Sequence, residues 1–208
     1  MDCWFRVVHK DIKNLHLGVC PPLGWIKRQR AQFAKQPRRS EREMVIGERH
    51  YLLGRRYRLR VHEQDAPVRL AIRGLASLDL FVRPGAILEQ REDVLLRWHR
   101  EQLKALIPAV LDRWRPLLGV QAAGWGVKKM KTKWGSCSLD ARRIWLNLEL
   151  GKKPVKCMEY IAAHELVHLL EHNHTQRFTA LMDGHLPDWR SRRETLRAST
   201  LGHESWGY

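Results

Sequence analysis

His164-Glu165-Leu166-Val167-His168-Leu169-Leu170-Glu171-His172-Asn173-His174 carries two histidines four residues apart, with an acid next to the first. In a helix, residues four apart lie one above the other on the same face, so His164 and His168 present two imidazoles to one ion. Zinc suits such a pair: it accepts nitrogen ligands, prefers four-coordination, and in catalytic sites keeps one position for water. Glu165 is placed to act on that water as general base, and the ion lowers the water's pKa to about 7. A third histidine follows six residues after the second, the gap of H-E-x-x-H-x-x-G-x-x-H zincins, with Glu171 where those have glycine. The chain must then turn elsewhere, and Asn173 is the expected left-handed residue. His174 is the expected third ligand, with His172 or a downstream acid as alternatives. Mn or Ni suits the same imidazoles, because affinity alone does not select among first-row metals.

Outward from this stretch, Pro154 fits a first helical position, and Val155 to Glu171 reads as one amphipathic helix. Thr175 to Met182 and Asp188 to Ser199 read as two further helices, separated by Gly184-His185-Leu186-Pro187. Upstream, Val127 to Trp134 and Ile144 to Leu148 look like strands, with Gly135-Ser136-Cys137-Ser138 in the turn between them. Ile87 to Trp114 has the apolar stripe of a long helix, which Pro108 is expected to kink or divide. Leu78 to Val82 is a strand, and Tyr51–Gly54 with Tyr57–Val61 a hairpin-like pair around Gly54-Arg55. Sheet elements, a long helix, more strands and then helices make an α+β architecture, with a small antiparallel sheet and a C-terminal helical part that carries HExxH.

The 208 residues fit one domain, or one domain with an appendage. No stretch approaches the roughly 20 apolar residues needed to cross a bilayer, and the first residues lack a signal layout. Cys3, Cys20, Cys137 and Cys157 are scattered, so they read as reduced thiols in a cytoplasmic protein with no membrane contact. The formal charge is +16, and it is unevenly spread. Lys27 to Arg60 holds twelve Lys or Arg against three acids, and Lys128 to Lys156 nine against two. Such clusters attract polyanions, phosphate-rich ligands among them.

Lys131-Thr132-Lys133-Trp134-Gly135-Ser136-Cys137 has its own reading. On a strand, alternation puts Lys131 and Lys133 on one face; Gly135 permits close backbone approach, and Ser136 offers a hydroxyl. Lys131, Lys133 and Ser136 are therefore candidates for binding an anionic substrate group or a developing oxyanion. A packed strand with solvated lysines is the competing reading. Asn147 and Glu149 are candidate partners of a ligating histidine.

The segments HELVHLLEHNHTQRF with Leu186-Pro187-Asp188-Trp189-Arg190, MKTKWGSCS at 130–138, GERHYLLGRRYRLRV at 47–61, FVRPGA at 81–86 and WLNLEL at 145–150 together resemble the YgjP-like metallopeptidase family. The resemblance runs from about Gly47 to Arg197. It implies a zincin-like metallohydrolase in which His164, His168 and His174 bind one Zn2+ ion and Glu165 is catalytic. Compared with that family, Leu15 to Pro22 runs almost directly into Leu23-Gly24-Trp25-Ile26-Lys27. Residues 1–40 thus read as a shortened N-terminal segment, and 41–208 as the metallohydrolase domain.

A zincin helix with a glutamate base most often attacks a peptide carbonyl, and an unfolded peptide is one expected substrate. The basic composition suits a nucleoside triphosphate as well, since Lys and Arg neutralise phosphates, and the resemblance also implies nucleotide (UTP-type) pyrophosphatase activity. A DNA-associated protease, like the SprT-like proteases, is a third reading. With no base-reading module, any nucleic-acid contact would be non-specific and salt-sensitive.

Overall fold

The computed structural model describes Gly24 and residues 44–198, so the shortened segment expected at 1–40 lies outside the described residues apart from that glycine. The fold is α+β, and residues 44–198 form two small sheets and four α-helices.

The first sheet opens with a hairpin. Strands β1 (Arg49–Leu52) and β2 (Arg55–Glu63) pair antiparallel through Leu53 and Gly54, with φ of 47° and 82°. Positive φ at both central residues is what a type I′ hairpin turn requires. Strands β3 (Arg69–Arg73) and β4 (Ser77–Val82) complete the order β1-β2-β4-β3, in which β2 and β4 run parallel. The Tyr57-Arg58-Leu59-Arg60 alternation sends Tyr57 and Leu59 into a core with Leu78 and Leu80, and leaves Arg56, Arg58 and Arg60 exposed. The register puts Arg49 opposite Arg58, and Arg69 and Arg73 on the same side. That open face therefore carries six exposed arginines.

Helix α1 (Leu88–Leu118) is a single element with Pro108 and Pro116 inside it, so of the kink or division expected at Pro108 the division does not occur. An interior proline costs about 3 kcal/mol. Leu103, Ile107, Val110, Leu111 and Trp114 are buried on both sides of Pro108, and each contributes about 1.5–3 kcal/mol, so burial outweighs the lost hydrogen bond. The first turns of α1 pack on the first sheet through Val94 and Leu95, and the rest enters a second core with β5–β7 and the metal-motif helix.

The second sheet has strands β5 (Gly124–Lys128), β6 (Gly135–Ser138) and β7 (Arg143–Asn147) in the order β5-β7-β6, with β5 and β7 parallel. The expected small antiparallel sheet is thus two sheets, each with one parallel pair. The strand expected to reach Trp134 stops at Lys128, while Gly135–Ser138, expected in a turn, is itself a strand. Buried Asn147 explains the break: its Nδ2 donates to the carbonyls of Met130 (3.0 Å) and Lys133 (2.6 Å), which holds the intervening residues as a loop.

A 3-10 turn (Leu148–Lys152) leads through Pro154 into α2 (Val155–Val167), followed by α3 (Gln176–His185) and α4 (Trp189–Ala198). Gly184 and His185, expected between helices, belong to the last turn of α3. Cys157, Met158 and every residue from Tyr160 to Val167 are buried, so α2 is a central helix covered all round, not an amphipathic one. Among the described residues no helix is long and apolar enough to cross a membrane.

Candidate metal centre

Because α2 is buried on all sides, His164 and Glu165 are interior side chains, 6% and 3% exposed. His168 caps the helix end, its N–H donating to the His164 carbonyl at 3.2 Å. The helix expected to reach Glu171 ends there, and the chain tightens: the N–H of Leu169 donates to Leu166 O (3.0 Å) and that of Leu170 to Val167 O (2.9 Å). Such i→i+3 bonds satisfy the last carbonyls of a helix while turning it. Asn173 is not left-handed. Among the described residues, the non-glycine positions with positive φ are Met44, Leu53 and Arg142. Instead the Asn173 carbonyl accepts from Thr175 N–H at 2.8 Å, and Thr175 Oγ1 accepts from Phe178 N–H at 3.3 Å to start α3. These bonds return His174 to the end of α2.

The imidazoles of His164, His168 and His174 converge, each offering a nitrogen within 4.8 Å of the others. His174 Nε2 faces His164 Nε2 at 3.1 Å. His168 Nδ1 lies 3.2 Å from the Glu171 carbonyl. That contact suits a protonated Nδ1, which leaves Nε2 as a lone-pair donor. All three rings surround buried Phe178, with centroid separations of 4.9, 4.9 and 4.7 Å. Burial, then the neighbouring histidines, hold the His164 pKa well below the usual range; burial also lowers His168 and His174. Neutral imidazole is the metal-binding form, so the donor set fits a divalent ion. His172 is exposed and outside the cluster, and the half-buried Cys137 also lies outside it.

Glu165 faces the second sheet. Burial lifts its carboxyl to about 8, against a smaller opposing pull from Lys133. Its side chain rests on the α-carbon of Gly135: a Cβ there would lie 2.7 Å from Glu165 Cγ and 2.8 Å from Cδ. The close approach expected of Gly135 is therefore to the acid of the HExxH motif. Cys137 shares that strand face, and its thiol is raised to about 11, by burial first and Glu165 second. Alternation turns Ser136 to the opposite face of β6. Lys131 and Lys133 are exposed on the Met130–Trp134 loop, not on a strand, and the charge of Lys133 alone of the two registers at Glu165. Of the candidate partners of a ligating histidine, Asn147 ties the loop and Glu149 pairs with Lys152 at 2.5 Å.

Three further residues border the site without any signal in the local sequence pattern. Phe178 is one. Tyr160 stands edge-on to His164 at 5.8 Å and stacks on Trp189 at 6.2 Å, and burial pushes its phenol to about 12. Arg193 projects its charge onto His164 and His174.

The family model for the YgjP-like metallopeptidase domain matches residues 19–199. The chain belongs to this family. The YgjP-like match starts well before Gly47 and takes in every element described above. It makes the protein a metal-dependent hydrolase and implies a divalent metal. No curated protein matches the chain. Among solved structures, the crystal structure of the metallopeptidase zymogen of Pyrococcus abyssi abylysin is similar at 18% identity and a TM-score of 0.44, over 48% of this chain and 100% of that one.

Proposed function

We propose that this YgjP-like protein is a zinc peptidase in which His164, His168 and His174 hold one ion and Glu165 is the general base. The reading rests on the convergence of three imidazoles within 4.8 Å of one another, at the end of the helix that carries a buried carboxyl. When bound, zinc supplies Lewis acidity and a water acidified to about pKa 7. Glu165 takes the proton of the attacking water and delivers it to the departing amine nitrogen. Gly135 leaves room for the carboxyl, Phe178 keeps the imidazoles from rotating, and the Glu171 carbonyl orients His168. The family's metallopeptidase character favours a peptide carbonyl over a phosphoanhydride as the electrophile.

The zinc-loaded protein is expected to cleave an unfolded polypeptide, Glu165→Gln to lose cleavage while keeping zinc, and His168→Ala to lose zinc. Pyrophosphate release from a nucleoside triphosphate, with no peptide cleaved at any metal loading, would transfer the reading to phosphoanhydride hydrolysis.

The open arginine face of the first sheet favours a second, compatible role: non-specific contact with nucleic acid. A band shift on DNA that weakens steeply with salt, and is lost in Arg56→Glu/Arg58→Glu/Arg60→Glu, tests it. Binding that is insensitive to salt counts against it.

A further inference from the structure

A small open cleft adjoins His164, the buried member of the histidine cluster. Trp134, Tyr160, Ile161 and Leu196 form apolar walls, His164 lies at one side, and Arg193 and Arg197 of α4 complete the lining. The two arginines are four apart, on one face of α4.

The other arginines of α4 are paired. Arg190 is bonded to Asp183; Arg192 meets Glu159 at 2.6 Å and Asp188 at 2.9 Å; Arg197 meets Glu194 at 3.4 Å. Arg193 alone has no carboxylate partner among the described residues, and it is the half-buried arginine that lines the cleft. A guanidinium left beside apolar walls and a cation-binding triad has little anionic compensation, so an incoming anion gains more there than at an exposed arginine. Its planar fork matches a carboxylate through two parallel hydrogen bonds.

We propose that Arg193 is a specificity residue and binds a substrate carboxylate next to the bond that is cut. The carboxylate is either the free C-terminus of the peptide or an Asp or Glu side chain. This deepens the peptidase reading above and, as far as cleavage is concerned, rests on it.

The test reads binding, so that it does not depend on turnover. The metal-free full chain is titrated calorimetrically with two matched peptide pairs: one ending in a free carboxylate or an amide, the other amide-ended with an internal Glu or Gln. In at least one pair the acidic member is expected to bind roughly 10- to 100-fold more tightly, the range of a charge-assisted hydrogen bond. The discriminating pair identifies the source of the carboxylate. Arg193→Gln is expected to erase the difference, Arg193→Lys to keep part of it, and both to leave the neutral peptides unchanged. Equal binding within both pairs, or a preference that survives Arg193→Gln, overturns the proposal. A nucleoside triphosphate that binds more tightly than every peptide, with the gain lost in Arg193→Gln, overturns the carboxylate assignment. A carboxylate preference that needs Arg193, in a protein whose zinc-loaded form cleaves none of the four peptides, upholds the anion site and removes the peptidase reading.

Discussion

Replacing Gly135 by alanine is expected to separate catalysis from metal binding. The new Cβ would sit 2.7 Å from Cγ and 2.8 Å from Cδ of Glu165, whereas carbon atoms pack best about 3.5–4.0 Å apart. Either the carboxyl or β6 must give way by roughly 1 Å. Misplacement on that scale costs about 100-fold in rate. Two terms oppose each other in stability. Alanine restricts the unfolded chain, a gain of about 0.4–1 kcal/mol, while overpacking a buried site costs about 1–3 kcal/mol. The net is a loss of about 1–2 kcal/mol, or a fall in Tm of roughly 2–8 °C for a chain of this size. The three histidines lie off this contact, so zinc stoichiometry is expected to stay at the wild-type value. The assay pairs kcat on an unfolded protein substrate with metal analysis and a thermal melt of the same preparation. Wild-type kcat in Gly135→Ala would refute the placement of Glu165 against this strand as a requirement of catalysis.

Three further outcomes follow from neighbouring contacts. Burial raises the Glu165 pKa from 4.5 to about 8, so the fold favours the protonated acid; its contribution is fully present below pH 4.5 and is lost as pH rises through 8. In metal-free protein Glu165→Gln is therefore expected to gain roughly 3 kcal/mol on wild type between pH 5 and pH 8, and urea melts showing a pH-independent gap would contradict this. Phe178→Ala leaves the imidazoles free to rotate and is expected to weaken zinc binding about 10- to 100-fold, as loss of orienting contacts does, measured by competition with a chelator; unchanged affinity would show the rings are held otherwise. Asn147→Ala leaves the buried bonds to Met130 and Lys133 unmade, at about 2–4 kcal/mol, and a denaturant midpoint equal to wild type would rule out that anchoring role.

What the sequence disclosed about the site follows from the range of the forces involved. The i, i+4 spacing of His164 and His168 is a property of one helix turn, so it is readable without knowing what surrounds it. The return of His174 is carried by backbone bonds at Leu169, Leu170 and Thr175, which depend little on side-chain identity, and Asn173 was for that reason a misleading cue. Lys131-Thr132-Lys133-Trp134 alternates like a strand, but an amide fourteen residues beyond Lys133 takes the carbonyl a partner strand would need. Strand β3 has only two buried or half-buried apolar positions between its terminal arginines, too short an alternation to read as a strand. Arg193 and Phe178 reach the site only because α3 and α4 fold back onto α2, and no local pattern announces that.

The turn of the first hairpin reaches beyond its own sheet. Leu53 N–H donates to the Gly151 carbonyl at 2.8 Å and Gly54 N–H to that of Lys152 at 3.2 Å. The Gly54 α-carbon lies so close to Pro154 that a Cβ would come within 2.7 Å of its Cγ. Pro154 immediately precedes the helix that carries His164 and Glu165. The tip of the first sheet thus latches the start of that helix, and neither loosens without breaking bonds of the other. In hydrogen exchange, the amides of β1 and of α2 should therefore open as one cooperative unit with a shared opening free energy. The helix that carries His164 and Glu165 is protected from fraying by a strand pair that supplies none of the three clustered histidines.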